Sequence, residues 1–127
     1  MLTGPDDSDV LNRVVVALAA AAALHCLIAP LLSDRLSALT GETAHLVLAL
    51  AAIGLSGIAV VRGWLRHLDG RVFGWAVGAW TSLILARVGG AEELGEVGEI
   101  LLTCVACALL IIAHQLNRSL AYWSRRE

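Results

Sequence analysis

The stretch VVVALAAAAALHCLIAPLL, residues 14–32, decides the class of fold. Its 19 residues are about the number that an α-helix needs to cross the hydrocarbon core of a bilayer. The run is apolar except for His25 and Cys26, and Pro30, which stops or kinks helices, follows shortly after them. An ionisable side chain within such a span is costly unless it faces a bundle interior, a partner or water. His25 is therefore a candidate functional residue.

The composition of the whole chain agrees with a membrane protein. Of its 127 residues, 58% are hydrophobic and 16% are charged, whereas an average soluble domain is roughly 25% charged. The length predicts a single domain over residues 1–127. A cleavable signal peptide is not expected, because the chain starts with acidic residues and the first apolar run is too long.

Four apolar segments predict four transmembrane helices, at about 11–32, 44–62, 72–88 and 97–116. The third segment is the weakest, with an uncharged stretch of only 15 residues, and the fourth has a short uncharged centre. Segments that short also occur as core helices of soluble bundles. We favour the membrane alternative because the first two segments are hydrophobic all round, unlike the surface helices of soluble domains. The predicted fold is an all-α, integral membrane four-helix bundle.

The four spans are joined by short predicted loops at 33–43, 66–71 and 89–96. Such connections predict an up-down-up-down topology with both termini on one side. That side carries most of the arginines: Arg13, Arg62, Arg66, Arg71, Arg118, Arg125 and Arg126. The opposite side carries only Arg35 and Arg87. Basic residues accumulate on the cytoplasmic side of membrane proteins, so we expect both termini in the cytoplasm and a multi-pass topology. Gly41 and Glu92 then fall in outer loops.

The predicted topology gathers polar residues from three helices near the outer face. His25 and Cys26 lie toward the end of the first span, His45 opens the second, and Glu99 lies at the start of the fourth. Two imidazoles and a carboxylate are suitable ligands for a divalent cation. Because His25 and Cys26 are neighbours, they differ by 100° around the helix and are not expected to bind one ion together without distortion.

Helical periodicity supports an inward-facing polar stripe on the fourth helix. A stripe about 80° wide runs through Glu96, Glu99, Thr103, Ala106, Leu110, His114 and Asn117. Cys107 lies at the edge of the stripe, and Cys104 lies off it. The second helix carries a comparable stripe of small and polar residues, and such faces pack inward in membrane bundles.

Simpler roles remain open for each of these residues. Glu99 alternatively caps a helix or faces solvent, His45 alternatively pairs with Glu42, and His25 alternatively makes a structural hydrogen bond. Buried thiols usually behave as small apolar groups, so the three cysteines are interpreted first as packing residues. His67 is expected in solvent or at the headgroups. His114 and Asn117 either cap the helix end or bind a separate ligand.

These motifs, taken together, resemble the MerC-domain family over about residues 11–118. The residues that carry the resemblance are His25-Cys26-x-x-x-Pro30, His45, Gly98-Glu99-x-Leu101-Leu102-Thr103 and His114-x-x-Asn117. The resemblance implies a four-helix, multi-pass protein of the bacterial inner (cell) membrane that takes up mercuric ion through cysteines in its first span. This chain departs from the pattern, because it has a His-Cys pair where the mercury carriers have two cysteines.

The leading hypothesis is a small inner-membrane protein that binds or transports a metal ion. Its direct ligands would be His25, His45 and Glu99, with Cys26 as a further, soft ligand. Imidazole and carboxylate favour zinc-like ions, whereas thiolates favour mercuric ion or copper(I). From the residues alone we favour the imidazole–carboxylate site over a thiol relay. The expected partners are the lipid bilayer and the metal ion, without nucleic acid.

Other classes of function are weighed beside this one. The main alternative is an accessory or structural bundle that binds a membrane protein through its small-residue faces, with its histidines hydrogen-bonded internally. An enzyme is not expected, because no nucleophile, base and orienting group are visible together. A haem protein with His25 or His114 as axial ligand stays open. So does a homodimer, since four helices are few for a transporter without inverted repeats.

Overall fold

A computed structural model of the chain describes residues 6–32, 42–88 and 90–124. Four helices cover almost all of these residues: α1 (Asp6–Leu32), α2 (Glu42–His67), α3 (Gly70–Val88) and α4 (Gly90–Trp123). No strand occurs within the described ranges. The prediction of an all-α, four-helix protein is confirmed, and α1 continues through Pro30 to its predicted end. Gly41, the predicted outer-loop residue, lies outside the described residues.

Three of the four helices are long and apolar enough to cross a membrane. The candidate spans are Asp9–Ile28 in α1, His45–His67 in α2 and Gly95–Trp123 in α4. Helix α3 is not among them; its 19 residues include Arg71 and Arg87 near its two ends, and both lower its mean hydropathy. The assignment of α3 as a fourth span therefore stays a prediction.

Contacts between helix ends define the up-down-up-down arrangement. At one end, Asn12 near the start of α1 meets Asn117 near the end of α4. At the other end, Arg87 in the last turn of α3 meets Glu99 at the start of α4. Helix α4 packs against the other three helices, whereas α1 and α3 are diagonal and have no close backbone approach within the described ranges. Successive helices are consequently antiparallel, as predicted for short connections.

Small residues fill the centre of the bundle. The larger core cluster consists of Ala19, Ala52, Ala79, Leu83, Ala106, Cys107 and Leu110. Many large apolar side chains point outward instead; Leu50, Leu65 and Leu101 are each at least 60% exposed. Small residues allow helix backbones to approach closely in a membrane, where lipid solvates the apolar exterior. This distribution agrees with contact to the bilayer.

The connection between α2 and α3 is shorter than the predicted loop 66–71. Helix α2 continues to His67, and Leu68 adopts a left-handed conformation (φ 52°) that ends the helix. Asp69 then caps α3, because its carboxylate oxygen accepts a hydrogen bond from the backbone N–H of Arg71 at 2.9 Å. Hydrogen bonds from Arg71 also hold the pKa of Asp69 at about 2.

The predicted loop 89–96 is corrected, because residues 90–94 are helical. The expectation that Glu92 occupies a loop is wrong for the same reason. The chain breaks at Gly95, whose φ of 69° and ψ of 165° lie outside the helical region. Glycine suits this position, since a residue with a Cβ is strained at positive φ. Continuous helix resumes at Glu96, and the break therefore lies one turn before Glu99.

Candidate metal site

The end of the bundle where α1 and α3 finish gathers the residues singled out from the sequence. We call His25, Cys26, His45, Arg87 and Glu99 the His25 cluster. The helix ends that carry them meet because successive helices are antiparallel. The structure thus brings the four predicted site residues to one end of the bundle and adds Arg87.

The two histidines of the cluster contact each other without satisfying their nitrogens. The rings of His25 and His45 meet edge to face, with their centroids 5.0 Å apart and their planes at 87°. The Nε2 atom of each ring is buried and has no hydrogen-bond partner among the described residues. An unpaired buried polar group costs about 1–3 kcal/mol, so two such atoms side by side favour an additional ligand.

Glu99 is held by an arginine that the sequence analysis did not place in the site. A guanidinium nitrogen of Arg87 lies 2.6 Å from Glu99 Oε1, whereas His45 Nδ1 lies 3.9 Å from the same oxygen. Thr103 links the pair, because its hydroxyl donates to the Glu99 carbonyl at 2.9 Å and accepts from Arg87 at 3.4 Å. The carboxylate charge is therefore already balanced. Arg87 was detectable as the charged residue that ends the third apolar segment opposite Glu99.

A small cavity extends from this cluster into the bundle. Its polar lining consists of Cys26, His45, Arg87, Thr103 and Cys107, and alanines and leucines from all four helices form the rest. The cavity has room for a water-sized species. Cys26 and Cys107 are both buried, being 7% and 2% exposed. The second thiol was not among the residues predicted for the site.

The predicted ligands do not form a ready-made metal-binding cluster. Within the described part of the chain, no three His, Cys, Asp or Glu side chains are grouped closely enough to hold an ion. Metal binding at His25, Cys26, His45 and Glu99 therefore stays a prediction. The chemistry of the donors fits a metal, since two neutral imidazole nitrogens, a thiol and a carboxylate are all ligand types.

The opposite end of the bundle contains a different polar cluster, which we call the His114 network: Asn12, Ser56, His67, His114 and Asn117. His114 is fully buried and its two ring nitrogens lie 2.7 Å from Asn12 Oδ1 and 3.0 Å from Ser56 Oγ. Asn117 donates to Asn12 Oδ1 at 3.0 Å and to the Ala59 carbonyl at 3.2 Å. These contacts join α1, α2 and α4.

The donors and acceptors of this network are determined by its geometry. Asn12 Oδ1 only accepts, so His114 Nδ1 carries the proton and donates, and Nε2 accepts from the Ser56 hydroxyl. The Ser56 oxygen in turn accepts from the indole N–H of Trp80 at 3.2 Å, which adds α3 to the network. Both ring nitrogens of His114 therefore have hydrogen-bond partners.

The expectation that His67 lies in solvent or among headgroups is wrong. His67 Nδ1 accepts from the backbone N–H of Asp69 at 3.0 Å, so Nε2 donates to Asn117 Oδ1 at 2.8 Å. His114 and Asn117 do not cap a helix end either, since both are buried between helices. Their spacing of three residues on the polar stripe of α4 was the available sequence signal.

These features define a class of protein. The chain is a small α-helical membrane protein with a polar network at one end of its bundle and a histidine–thiol cluster beside a cavity at the other.

Comparison with known families gives the particular family. A model of the family described as "MerC mercury resistance protein" matches residues 12–119, and the chain belongs to that family. The matched range includes both the His25 cluster and the His114 network. No curated protein and no solved structure matches the chain.

Proposed function

We propose that this membrane protein of the mercury-resistance type binds a metal ion at the His25 cluster and passes it across the inner membrane. The family gives the general relation to mercury. Support from this chain's own residues comes from the different surroundings of the histidines at the two ends of the bundle.

The observation that carries the proposal is the pair of unsatisfied imidazole nitrogens. His25 Nε2 and His45 Nε2 are buried without hydrogen-bond partners among the described residues, in rings that touch each other. A neutral imidazole nitrogen with a free lone pair is a metal ligand. A bound ion would give both nitrogens a partner and remove the cost of leaving them unpaired.

The alternative, a structural bundle that serves a protein partner, requires histidines that are hydrogen-bonded internally. His67 and His114 meet that requirement, since all four of their ring nitrogens have partners. His25 and His45 do not. The structure therefore supports a structural role for the His114 network and a ligand-binding role for the His25 cluster.

The charge balance of the cluster bears on the kind of ion. A zinc ion bound by Glu99 would compete with Arg87, whose guanidinium lies 2.6 Å from the carboxylate and would repel the cation. A thiophilic ion, such as mercuric ion, does not need the carboxylate. The Arg87–Glu99 pair therefore favours a soft ion over the zinc-like ion expected from the residues alone.

The direction of the bundle in the membrane follows from the arginine distribution and is part of the proposal. The count of seven arginines against two supports a cytoplasmic location for the His114 end and an outer location for the His25 cluster. Labelling of a Glu92→Cys variant in a cysteine-free background tests it. We expect an impermeant maleimide to react from the outside, and labelling only from the cytoplasm would reverse the orientation.

Metal titration of the full-length protein in mild detergent tests the binding function. We expect wild-type protein to bind mercuric chloride or zinc chloride. A His25→Ala/His45→Ala variant should bind zinc at least about 100-fold more weakly, which exceeds the loss expected when a residue that only supports a ligand is removed. Zinc affinity should also fall at acidic pH, because only the neutral ring is a ligand.

A matched control replaces the residues next to the two histidines. Leu24 and Leu46 are 58% and 47% exposed, so a Leu24→Ala/Leu46→Ala variant removes lipid-facing side chains from the same turns. It should bind metal like the wild type. If wild-type protein with intact helices binds neither ion, the proposed function is wrong.

A further inference from the structure

We infer that a thiophilic metal ion is held by two thiols from different helices, Cys26 of α1 and Cys107 of α4. The inference rests on the proposed function and adds the second thiol, which the first span lacks. It also restricts the bound ion to soft ions that two thiolates can ligate, and mercuric ion is the probe used in the test.

The positions of the two thiols support this inference. Cys26 and Cys107 line the same cavity and are 7% and 2% exposed. Cys107 lies against the backbone of Ala23, which is one turn before Cys26 on α1. Small residues at this level, Ala22 and Ala106, let the two helices approach. The two thiols therefore face one cavity from two helices that pack against each other.

Helix geometry also favours a second thiol on another helix over the neighbouring histidine. Two adjacent residues on a helix point 100° apart, so His25 and Cys26 cannot both face the same point without distortion. In the structure, the ring of His25 meets the ring of His45 edge to face and His25 does not line the cavity, whereas Cys26 lines it together with Cys107. A residue on a facing helix can oppose Cys26, which a sequence neighbour cannot.

The net charge of the site after mercuric ion has bound also favours two thiols. When mercuric chloride binds, each thiol loses its proton to solvent, each sulfur forms a bond to mercury, and two chloride ions leave; nothing is oxidised or reduced. The product is a neutral bis-thiolate complex. It leaves the Arg87–Glu99 pair intact, at 2.6 Å, and adds no net charge to a buried site.

X-ray absorption at the mercury edge, recorded on wild-type protein loaded with one equivalent of mercuric chloride, tests the inference directly by counting sulfur neighbours. We expect two sulfurs per mercury in wild-type protein and one in a Cys107→Ser variant. The affinity of Cys26→Ser and Cys107→Ser should each fall by more than the roughly 10–100-fold that loss of an outer-shell partner costs. Competition with a small-molecule thiol measures these affinities.

Cys104→Ser is the comparison variant on the same helix: this third thiol lies near both Cys26 and Cys107 but does not line the cavity. Cys104→Ser should keep two sulfurs and the wild-type affinity. One sulfur per mercury in the wild type, or unchanged binding by Cys107→Ser, would overturn the two-thiol site and leave the proposed function intact if His25→Ala/His45→Ala still weakened binding. Absence of all mercury and zinc binding by wild-type protein would instead refute the proposed function itself.

Discussion

The two ends of this bundle each hold two histidines, and the ring nitrogens differ in their surroundings. In the His114 network, the nitrogens of His114 and His67 all have hydrogen-bond partners. In the His25 cluster, His25 Nε2 and His45 Nε2 are buried without partners among the described residues. Satisfied buried polar groups stabilise one helix arrangement, whereas unsatisfied ones leave free energy for a ligand.

The comparison indicates that the two ends of the bundle have different roles. The His114 network joins all four helices through Asn12, Ser56, Trp80 and Asn117. It can therefore fix the register of the helices while the opposite end keeps a cavity and unpaired donors. A binding site needs such support, because its ligands must be held in place by a rigid surrounding structure.

The largest expected difference is between His114→Ala and His25→Ala, which make the same chemical change at opposite ends. His114→Ala leaves Asn12 and Ser56 without a partner and creates a cavity, so we expect a loss of about 3 kcal/mol or more in the free energy of unfolding. His25→Ala should cost less than about 1 kcal/mol, because the ring nitrogen it removes is unsatisfied. Unfolding in detergent followed by circular dichroism measures both. Equal losses would remove the distinction between the two ends.

The next effect concerns the space around the His114 network. A Cβ on Gly63 would collide with the side-chain amide of Asn117, which hydrogen bonds hold in place. Gly63→Ala should therefore destabilise the protein by about 1–3 kcal/mol through overpacking.

Gly57→Ala is the control on the same helix, since a Cβ there meets nothing within 4 Å. It should be neutral or stabilise α2 by up to about 1 kcal/mol through helix propensity. Similar destabilisation by both changes would show that helix backbone, not Asn117, is responsible.

The Arg87–Glu99 pair gives a smaller effect of opposite sign at the His25 cluster. Arg87→Gln removes the cation that holds the carboxylate, so Glu99 becomes available as a ligand and zinc affinity should rise about tenfold, or 1.4 kcal/mol. Glu99→Gln in the same background should abolish the gain. Zinc titration by isothermal calorimetry measures both, and unchanged affinity in Arg87→Gln would mean that Arg87 does not restrain Glu99.

The smallest effect is expected at Asp69, where a charge pair and a helix cap coincide. Asp69→Asn keeps an oxygen that can cap α3 but loses the charge, so it should lower the thermal midpoint slightly at neutral pH, whereas Asp69→Ala loses both and should lower it more. Since the folded pKa of about 2 lies below the ordinary value of 3.8, the charge contributes stability above pH 3.8 and loses it as the pH falls through 2. Thermal melts of the three proteins between pH 2 and pH 7 test this. A larger loss in Asp69→Asn than in Asp69→Ala would exclude the capping role.

Much of the architecture was predictable because it depends on local patterns. Apolar runs of membrane length predicted the four helices. Antiparallel topology alone brought His25, His45 and Glu99 to one end. The helical stripe through His114 and Asn117 also indicated that both face inward, although their partners were not identified.

Other features depended on how each helix is rotated about its axis. Arg87 was known to lie at the end of a segment, but its contact with Glu99 required the facing sides of α3 and α4. His67 was misplaced because α2 continues one turn beyond the predicted span and turns the ring toward Asn117. The helical content of residues 90–94 was missed because one glycine and two glutamates in this stretch resemble a loop, and the actual break is at Gly95.

The sequence by itself determined that this is a helical membrane protein of four segments, which residues lie near each end, and that it resembles the MerC family. Periodicity and length suffice for these properties, since each follows from one segment at a time. Only the tertiary structure decided which ring nitrogens are satisfied, that Arg87 holds Glu99, and that Cys107 faces the cavity beside Cys26. Those properties depend on the rotation and separation of neighbouring helices, which packing sets and no single segment contains.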